Sequence, residues 1–170
     1  KPLKVGVVNM VNAKQKQESS DTSIEGSLIS IENDTGYITA LVGGSKFNAE
    51  NQYIRAVQSK IQPGSTFKPL YYSAAIDSRK FTAVSTIDDS PYIFKTADGR
   101  PYYPENFRGE WVGSVQLWYA LCKSMNVPSL KVLEGIGLDV GFDRAIALLG
   151  IPEDEVQSRG FVHAYPVGLG

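Results

Sequence analysis

The sequence predicts an α+β fold, and three observations carry that expectation. Two β-rich segments, residues 26–32 and 37–43, flank the turn signal Asn33-Asp34-Thr35-Gly36. After Gly64, the residues Phe67, Leu70, Tyr71 and Ala74 recur at helical spacing. Beyond residue 113, three further segments read as helices. The order is hairpin, helix, long loop, helices. Two strands alone are marginally stable, so this layout expects later strands to complete the sheet.

Taken in order, residues 5–11 are β-rich and read as a short strand. Residues 12–25 are polar, and the whole stretch 1–25 reads as a linker or edge segment ahead of a domain at 26–170. The hairpin ends at Gly43-Gly44. Pro63-Gly64 then breaks the chain before a helix at 65–77, where Pro69 falls in the first turn and its missing N–H costs little. Residues 86–108 lack a helical period and read as an irregular excursion with one short hairpin at Ala97-Asp98-Gly99. A helix is expected at 114–123 with Ser114 as N-cap, a second at 129–134, and a third at 142–149 closed by Gly150.

Composition narrows the chemistry. The chain has 170 residues, 42% hydrophobic content and net charge −1, which suits one domain or part of one and suggests no nucleic-acid partner. A single cysteine and a single histidine make a disulfide, a metal cluster or a histidine-based triad improbable. No apolar run is long enough to span a membrane, and no signal-like segment opens the chain. The ends, Lys1-Pro2-Leu3-Lys4 and Val167-Gly168-Leu169-Gly170, read as those of an excised fragment.

The chemistry-bearing stretch is Gln62-Pro63-Gly64-Ser65-Thr66-Phe67-Lys68-Pro69. A lysine three residues after a serine lies on the same helix face, one turn on. A neutral amine there can take the hydroxyl proton and make Ser65 a nucleophile without histidine. The plain alternative is an N-cap serine followed by a solvated lysine. A second polar triplet, Ser124-Met125-Asn126, stops at Val127-Pro128 and begins 59 residues after Ser65.

With these two blocks, the hairpin, Arg55-Ala56, and Tyr103-Pro104-Glu105-Asn106, the chain from Gly26 onward resembles the transpeptidase domain of penicillin-binding proteins, most of all the bifunctional class A type. The resemblance implies a β-lactamase/DD-peptidase-like transpeptidase fold, here incomplete. It implies a two-step acyl transfer. Ser65 attacks the penultimate D-alanine carbonyl of a D-Ala-D-Ala stem peptide, and a second stem peptide takes the acyl group. Lys68 becomes the general base, Ser124 the proton relay, and Asn126 the residue that orients Lys68 and binds the substrate amide. The Ser65 N–H becomes half of an oxyanion hole. β-Lactams become Ser65 acylators; no cofactor or metal is implied. A glycosyltransferase domain and a membrane anchor would lie outside this chain, on the extracytoplasmic side of a bacterial cell membrane. A serine β-lactamase, a penicillin-sensor domain and a scaffold piece that only docks partners are the rival readings.

One departure stands out. No Lys-Thr-Gly follows Ser124, and Lys95-Thr96-Ala97 precedes it and lacks the glycine. The resemblance therefore covers about the first half of such a domain, and the isolated chain is expected to acylate poorly. Among the other residues, Cys122, Trp111 and Trp118 read as core, His163 as structural or exposed, and Asp88-Asp89 as a solvated turn. Asn106 stands evenly between loop stabiliser and functional residue.

Overall fold

A computed structural model describes residues 24–46, 48–59, 62–96 and 99–152. The strand expected at 5–11, nearly all of the segment 1–25, and His163 lie outside them. The chain divides into two compact units that part between Ile61 and Gln62.

The first unit holds the hairpin. Strands β1 (Leu28–Ile31) and β2 (Ile38–Val42) pair antiparallel, Leu28 opposite Val42 and Ile31 opposite Ile38. Gly36, at φ 73°, supplies the left-handed residue of the turn, and its N–H bonds the Glu32 carbonyl. After β2, the Glu25 carboxylate accepts bonds from the Ser45 N–H and hydroxyl, both at 2.7 Å. A short helix α1 (Arg55–Gln58) follows, and Arg55 donates to Asn51 Oδ1 and the Gly43 carbonyl.

The second unit is mainly helical. A 3-10 turn, Gly64–Phe67, leads into α2 (Lys68–Asp77). Strand β3 (Thr86–Asp89) follows, then the small hairpin of β4 (Phe94–Lys95) and β5 (Pro101–Tyr102). Strand β6 (Gly113–Gln116) runs directly into α3 (Leu117–Cys122). Helices α4 (Asn126–Ile136) and α5 (Leu138–Leu149) complete the unit, α5 ending at the left-handed Gly150. Helix α2 packs on α4 and α5, and α4 on β3. The core gathers Tyr71, Tyr72 and Ala75 of α2, Leu130 and Leu133 of α4, and Phe94. Gly141 allows the close approach of α5: a Cβ there would lie 2.4 Å from Leu133 Cδ1 and 3.2 Å from Tyr71 Cβ.

Several expectations shift. The helix expected from Ser65 begins as a 3-10 turn, and its buried face is wider, taking in Tyr72 and Ala75. The irregular excursion opens with a strand. Residues 113–116 pair with it, Thr86 opposite Gln116 and Asp89 opposite Gly113, so Ser114 lies in a strand and caps nothing. The first N–H groups of α3 are met by backbone instead: Leu117 donates to Ser85 O and Trp118 to Ala83 O. Helix α4 starts three residues before Ser129, because Pro128 in a first turn sacrifices no bond. Cys122 is exposed, and so are Trp111 and Trp118: α3 is a short helix that buries only Leu117 and Ala120. Asp89 is fully buried rather than in a solvated turn. The turn at 33–36 and the Gly150 stop are as expected; the strands of the expected small hairpin pair at Phe94–Tyr102 and Lys95–Pro101, and residues 97 and 98 of its turn lie outside the described residues.

Candidate active site

Two turns and one helix start build the site. Gly64 sits at φ 61°, where a side chain would be strained, and it swings the chain into the 3-10 turn that holds Ser65. Ser65 is exposed. Lys68 is the first residue of α2, and Phe67 and Tyr71 on either side of it anchor that turn by ring contacts to the core, Phe67 against Phe142 at 6.0 Å.

The Lys68 side chain runs inward and is completely buried. Its Nζ donates to Ser124 O at 2.7 Å, Asn126 Oδ1 at 2.8 Å and Ser124 Oγ at 3.1 Å. All three acceptors are neutral. Burial therefore dominates, and it draws the amine down from 10.5 to about 8.

The junction between α3 and α4 places those acceptors. Ser124 follows the α3 C-cap in left-handed conformation, at φ 52°. Its N–H bonds Leu121 O and the Met125 N–H bonds Ala120 O, the pairing of a Schellman stop. Glycine is the usual residue at that position. A serine there bears backbone strain, but it aims both its carbonyl and its hydroxyl at Lys68. Asn126 opens α4. Its Nδ2 donates to Glu105 O at 2.7 Å, which leaves Oδ1 facing the amine.

Chemically, an ammonium uses its three hydrogens on these three acceptors. On losing a proton it keeps two hydrogens and gains a lone pair. The Ser124 hydroxyl, the most distant partner, can then turn and donate to that lone pair. Lys68 and Ser124 are thus placed to exchange a proton. A cleft of about 440 Å³ opens beside Ser124, lined also by Asn106, Val112 and Lys123.

Of the four residues singled out in the sequence, the structure joins Lys68, Ser124 and Asn126 in one hydrogen-bonded cluster. It sets Ser65 one turn away but, among the described residues, no hydrogen bond links its Oγ to Lys68 Nζ. The three neutral acceptors compensate the buried amine better than one exposed hydroxyl would. Two further residues enter, one left evenly between loop stabiliser and functional residue by the sequence and one read as part of a solvated turn. Asn106 Oδ1 accepts from the N–H groups of Asn126 at 2.9 Å and Val127 at 3.4 Å, and its Nδ2 donates to Asp89 Oδ1 at 2.7 Å. Asp89 Oδ2 accepts from the Val112 N–H at 3.0 Å. The signal for Asn106 was the Tyr103-Pro104-Glu105-Asn106 block that carried the resemblance; for Asp89 the acidic pair Asp88-Asp89 pointed to a solvated turn instead. No group of three or more potential metal ligands occurs among the described residues.

Comparison with known proteins points the same way. A family model described as the penicillin binding protein transpeptidase domain matches residues 26–151. The chain is 40% identical over 136 residues to penicillin-binding protein 1A of Pseudomonas aeruginosa, covering 78% of this chain and 16% of that protein. It is 40% identical over 117 residues to penicillin-binding protein 1A of Neisseria gonorrhoeae, covering 68% of this chain and 14% of that one. The chain thus spans about a sixth or less of the length of these relatives. Among solved structures, penicillin-binding protein 1A from Haemophilus influenzae superposes with a TM-score of 0.75 at 27% identity, covering 86% of this chain and 21% of that one. PonA1 from Mycobacterium tuberculosis, in complex with penicillin V, shares the fold over 100% of this chain and 45% of its own, with a TM-score of 0.71 at 23% identity.

Proposed function

This chain belongs to the penicillin-binding protein transpeptidase family, and on that premise we propose that it is the nucleophile-bearing part of a serine-type D-Ala-D-Ala transpeptidase that cross-links peptidoglycan. Ser65 Oγ bonds to the penultimate D-alanine carbonyl carbon as its proton passes to neutral Lys68. The carbon–nitrogen bond to the terminal D-alanine breaks, and Ser124 relays a proton to the departing amine. The amine of a second stem peptide then takes the acyl group and frees Ser65. A β-lactam enters at the first step, its opened ring remaining on Ser65 as an ester.

The observation that carries this reading is the fully buried Lys68, held by Ser124 and Asn126, one turn from an exposed serine. A neutral amine is accessible there near physiological pH, and a solvated lysine would not offer one. Exposure of Ser65 supplies access for the acyl donor. In the relay geometry, one hydrogen of Asn126 Nδ2 is spent on Glu105 and the other remains for a substrate carbonyl.

Residues 26–170 form part of one transpeptidase domain on this reading, with 1–25 as the segment entering it. The full-length protein works on the extracytoplasmic face of the cell membrane, with a glycosyltransferase domain ahead of this chain. No helix among the described residues is long and apolar enough to cross a membrane. The sequence holds no Lys-Thr-Gly after Ser124, so the 170-residue chain alone should acylate at least ~10²-fold more slowly than the full-length protein, for want of a second cation and an oxyanion donor.

Intact-mass spectrometry of the full-length protein with and without penicillin tests the reading. Wild type should gain one penicillin mass, mapped to the peptide bearing Ser65, and hold it for hours; Ser65→Ala should gain none while keeping its thermal melt. A penicillin adduct on Ser65→Ala would remove Ser65 as nucleophile, and release within seconds would indicate a β-lactamase.

A further inference from the structure

We infer that Asp89 and Asn106 are positioning residues for this reaction: they fix the start of α4, and through it the amide of Asn126, against Lys68. The inference rests on the acyl-transfer reading above and goes beyond it, since neither residue touches the reacting atoms.

The first four N–H groups of a helix lack intrahelical partners and must be met elsewhere. In α4 the account closes fully. The Met125 N–H goes to Ala120 O across the Schellman stop. Those of Asn126 and Val127 go to Asn106 Oδ1. Pro128 has none. A single side-chain oxygen from a distant loop therefore serves as the cap of α4, which has no cap from its own N-terminal residue.

An amide can present either end. Asn106 would serve α4 only with its oxygen toward the helix, and the reverse orientation would set two N–H donors against the Asn126 N–H. The Asp89 carboxylate decides between them, because a carboxylate accepts and cannot donate. It draws Asn106 Nδ2 to itself at 2.7 Å, a bond reinforced by Nδ2 to Glu110 O at 3.1 Å. Asp89 is itself fully buried at the end of β3, with its other oxygen tied to the Val112 N–H. The neighbouring residue completes the clamp: Glu105 O holds Asn126 Nδ2, which turns Oδ1 toward the amine. One loop thus sets both the backbone and the side chain of Asn126. No bond from Asp89 or Asn106 reaches Lys68, so their influence passes through Asn126 alone.

This arrangement has a specific consequence. Exchanging the two residues, Asp89→Asn with Asn106→Asp, preserves the bond between them and the acceptor for α4, and gives up the bond to Glu110 O. Asn at 89 can donate Nδ2 to the carboxylate at 106 and keep Oδ1 for the Val112 N–H. The carboxylate at 106 can still accept from α4. Asn106→Asp alone instead opposes two carboxylates in a buried place.

The test uses the full-length protein and fluorescent penicillin, with rapid-quench sampling over a range of concentrations to separate non-covalent Kd from the acylation rate constant. Asp89→Asn should lower the rate constant roughly tenfold and Asn106→Asp roughly 10²-fold, with a smaller rise in Kd, since the base is misaligned while Asn106 also lines the cleft and Asn126 also meets the substrate. The double exchange should recover at least about tenfold over Asn106→Asp. Thermal melts show which variants are folded; should Asn106→Asp not fold, Asp89→Asn decides by its rate constant. Unchanged rate constants in folded variants, a loss carried wholly by Kd, or a double exchange no better than Asn106→Asp would overturn the inference. A wild-type protein that is not acylated, or a Ser65→Ala protein that still is, would defeat the acyl-transfer reading itself and this inference with it.

Discussion

Ser65 and Lys68 are three residues apart and sit in opposite environments. Ser65 lies in a 3-10 turn, exposed, with no hydrogen bond to the lysine. Lys68 opens an α-helix, is fully buried, and holds three acceptors. The first arrangement gives an incoming carbonyl access to an oxygen. The second strips water from an amine and makes its proton easier to lose. The contrast shows how one turn of chain separates the two requirements of a nucleophile–base pair, reach and basicity, that a uniform environment would set against each other.

The largest expected effect removes the buried half of the pair. Lys68→Met keeps the apolar stem and deletes the amine. In full-length protein it should slow penicillin acylation by ~10²–10⁴-fold while Ser65 stays exposed. Acylation within tenfold of wild type would show that Ser65 needs no base at position 68.

The next effect measures how deeply the contrast runs. Burial has drawn the amine from 10.5 to about 8. Below pH 8 it is protonated in both folded and unfolded chains, and the folded state bears the whole cost of a buried charge. Between about 8 and 10.5 the unfolded chain still holds the proton that the folded chain has released. Stability attributable to Lys68 therefore rises with pH across that window, by roughly 3 kcal/mol in all. Urea denaturation of wild type and Lys68→Met at successive pH values isolates it, because the tyrosines contribute equally to both. A flat difference would mean that the three acceptors keep the amine at its ordinary value. Acylation of wild type should climb over the lower edge of the same window.

The smallest effect concerns the turn that holds the lysine. Ser124→Gly and Ser124→Ala both lose the hydroxyl at Nζ, but only glycine relieves the left-handed backbone. The glycine variant should be about 1 kcal/mol more stable than the alanine variant by urea denaturation, while both acylate more slowly than wild type. Equal stabilities would show that position 124 stores no strain.

Much of this was legible in the sequence, and for identifiable reasons. The hairpin followed from alternation and the turn at Asn33-Asp34-Thr35-Gly36, and the Gly150 stop from a residue that tolerates positive φ. Local conformational preference decided both. Residues 113–116 misled because Ser114 before an apolar run looks like a cap; pairing with Thr86–Asp89 overrode that signal. Cys122 and Trp118 lay on an apolar helical face, yet α3 is too short to bury more than one stripe. For the site, Ser65 and Lys68 follow from their spacing, and Ser124 and Asn126 from the family resemblance that the two blocks carry. Asp89 was not legible, since an acidic pair in a stretch without a helical period reads as a solvated turn and only the fold seals it.

The amino-acid sequence by itself determined the residue types of the chemistry, the Pro-Gly break ahead of Ser65, the helix that carries Lys68 and the family to which the chain belongs. Those depend on short-range spacing and backbone preference. Only the tertiary structure decided that Lys68 reaches into the α3–α4 junction and that a loop residue, Asn106, caps α4 under the control of buried Asp89. The physical reason is that burial and hydrogen-bond satisfaction are set by segments dozens of residues apart, and the polar groups of the site had to find their partners after the chain had packed.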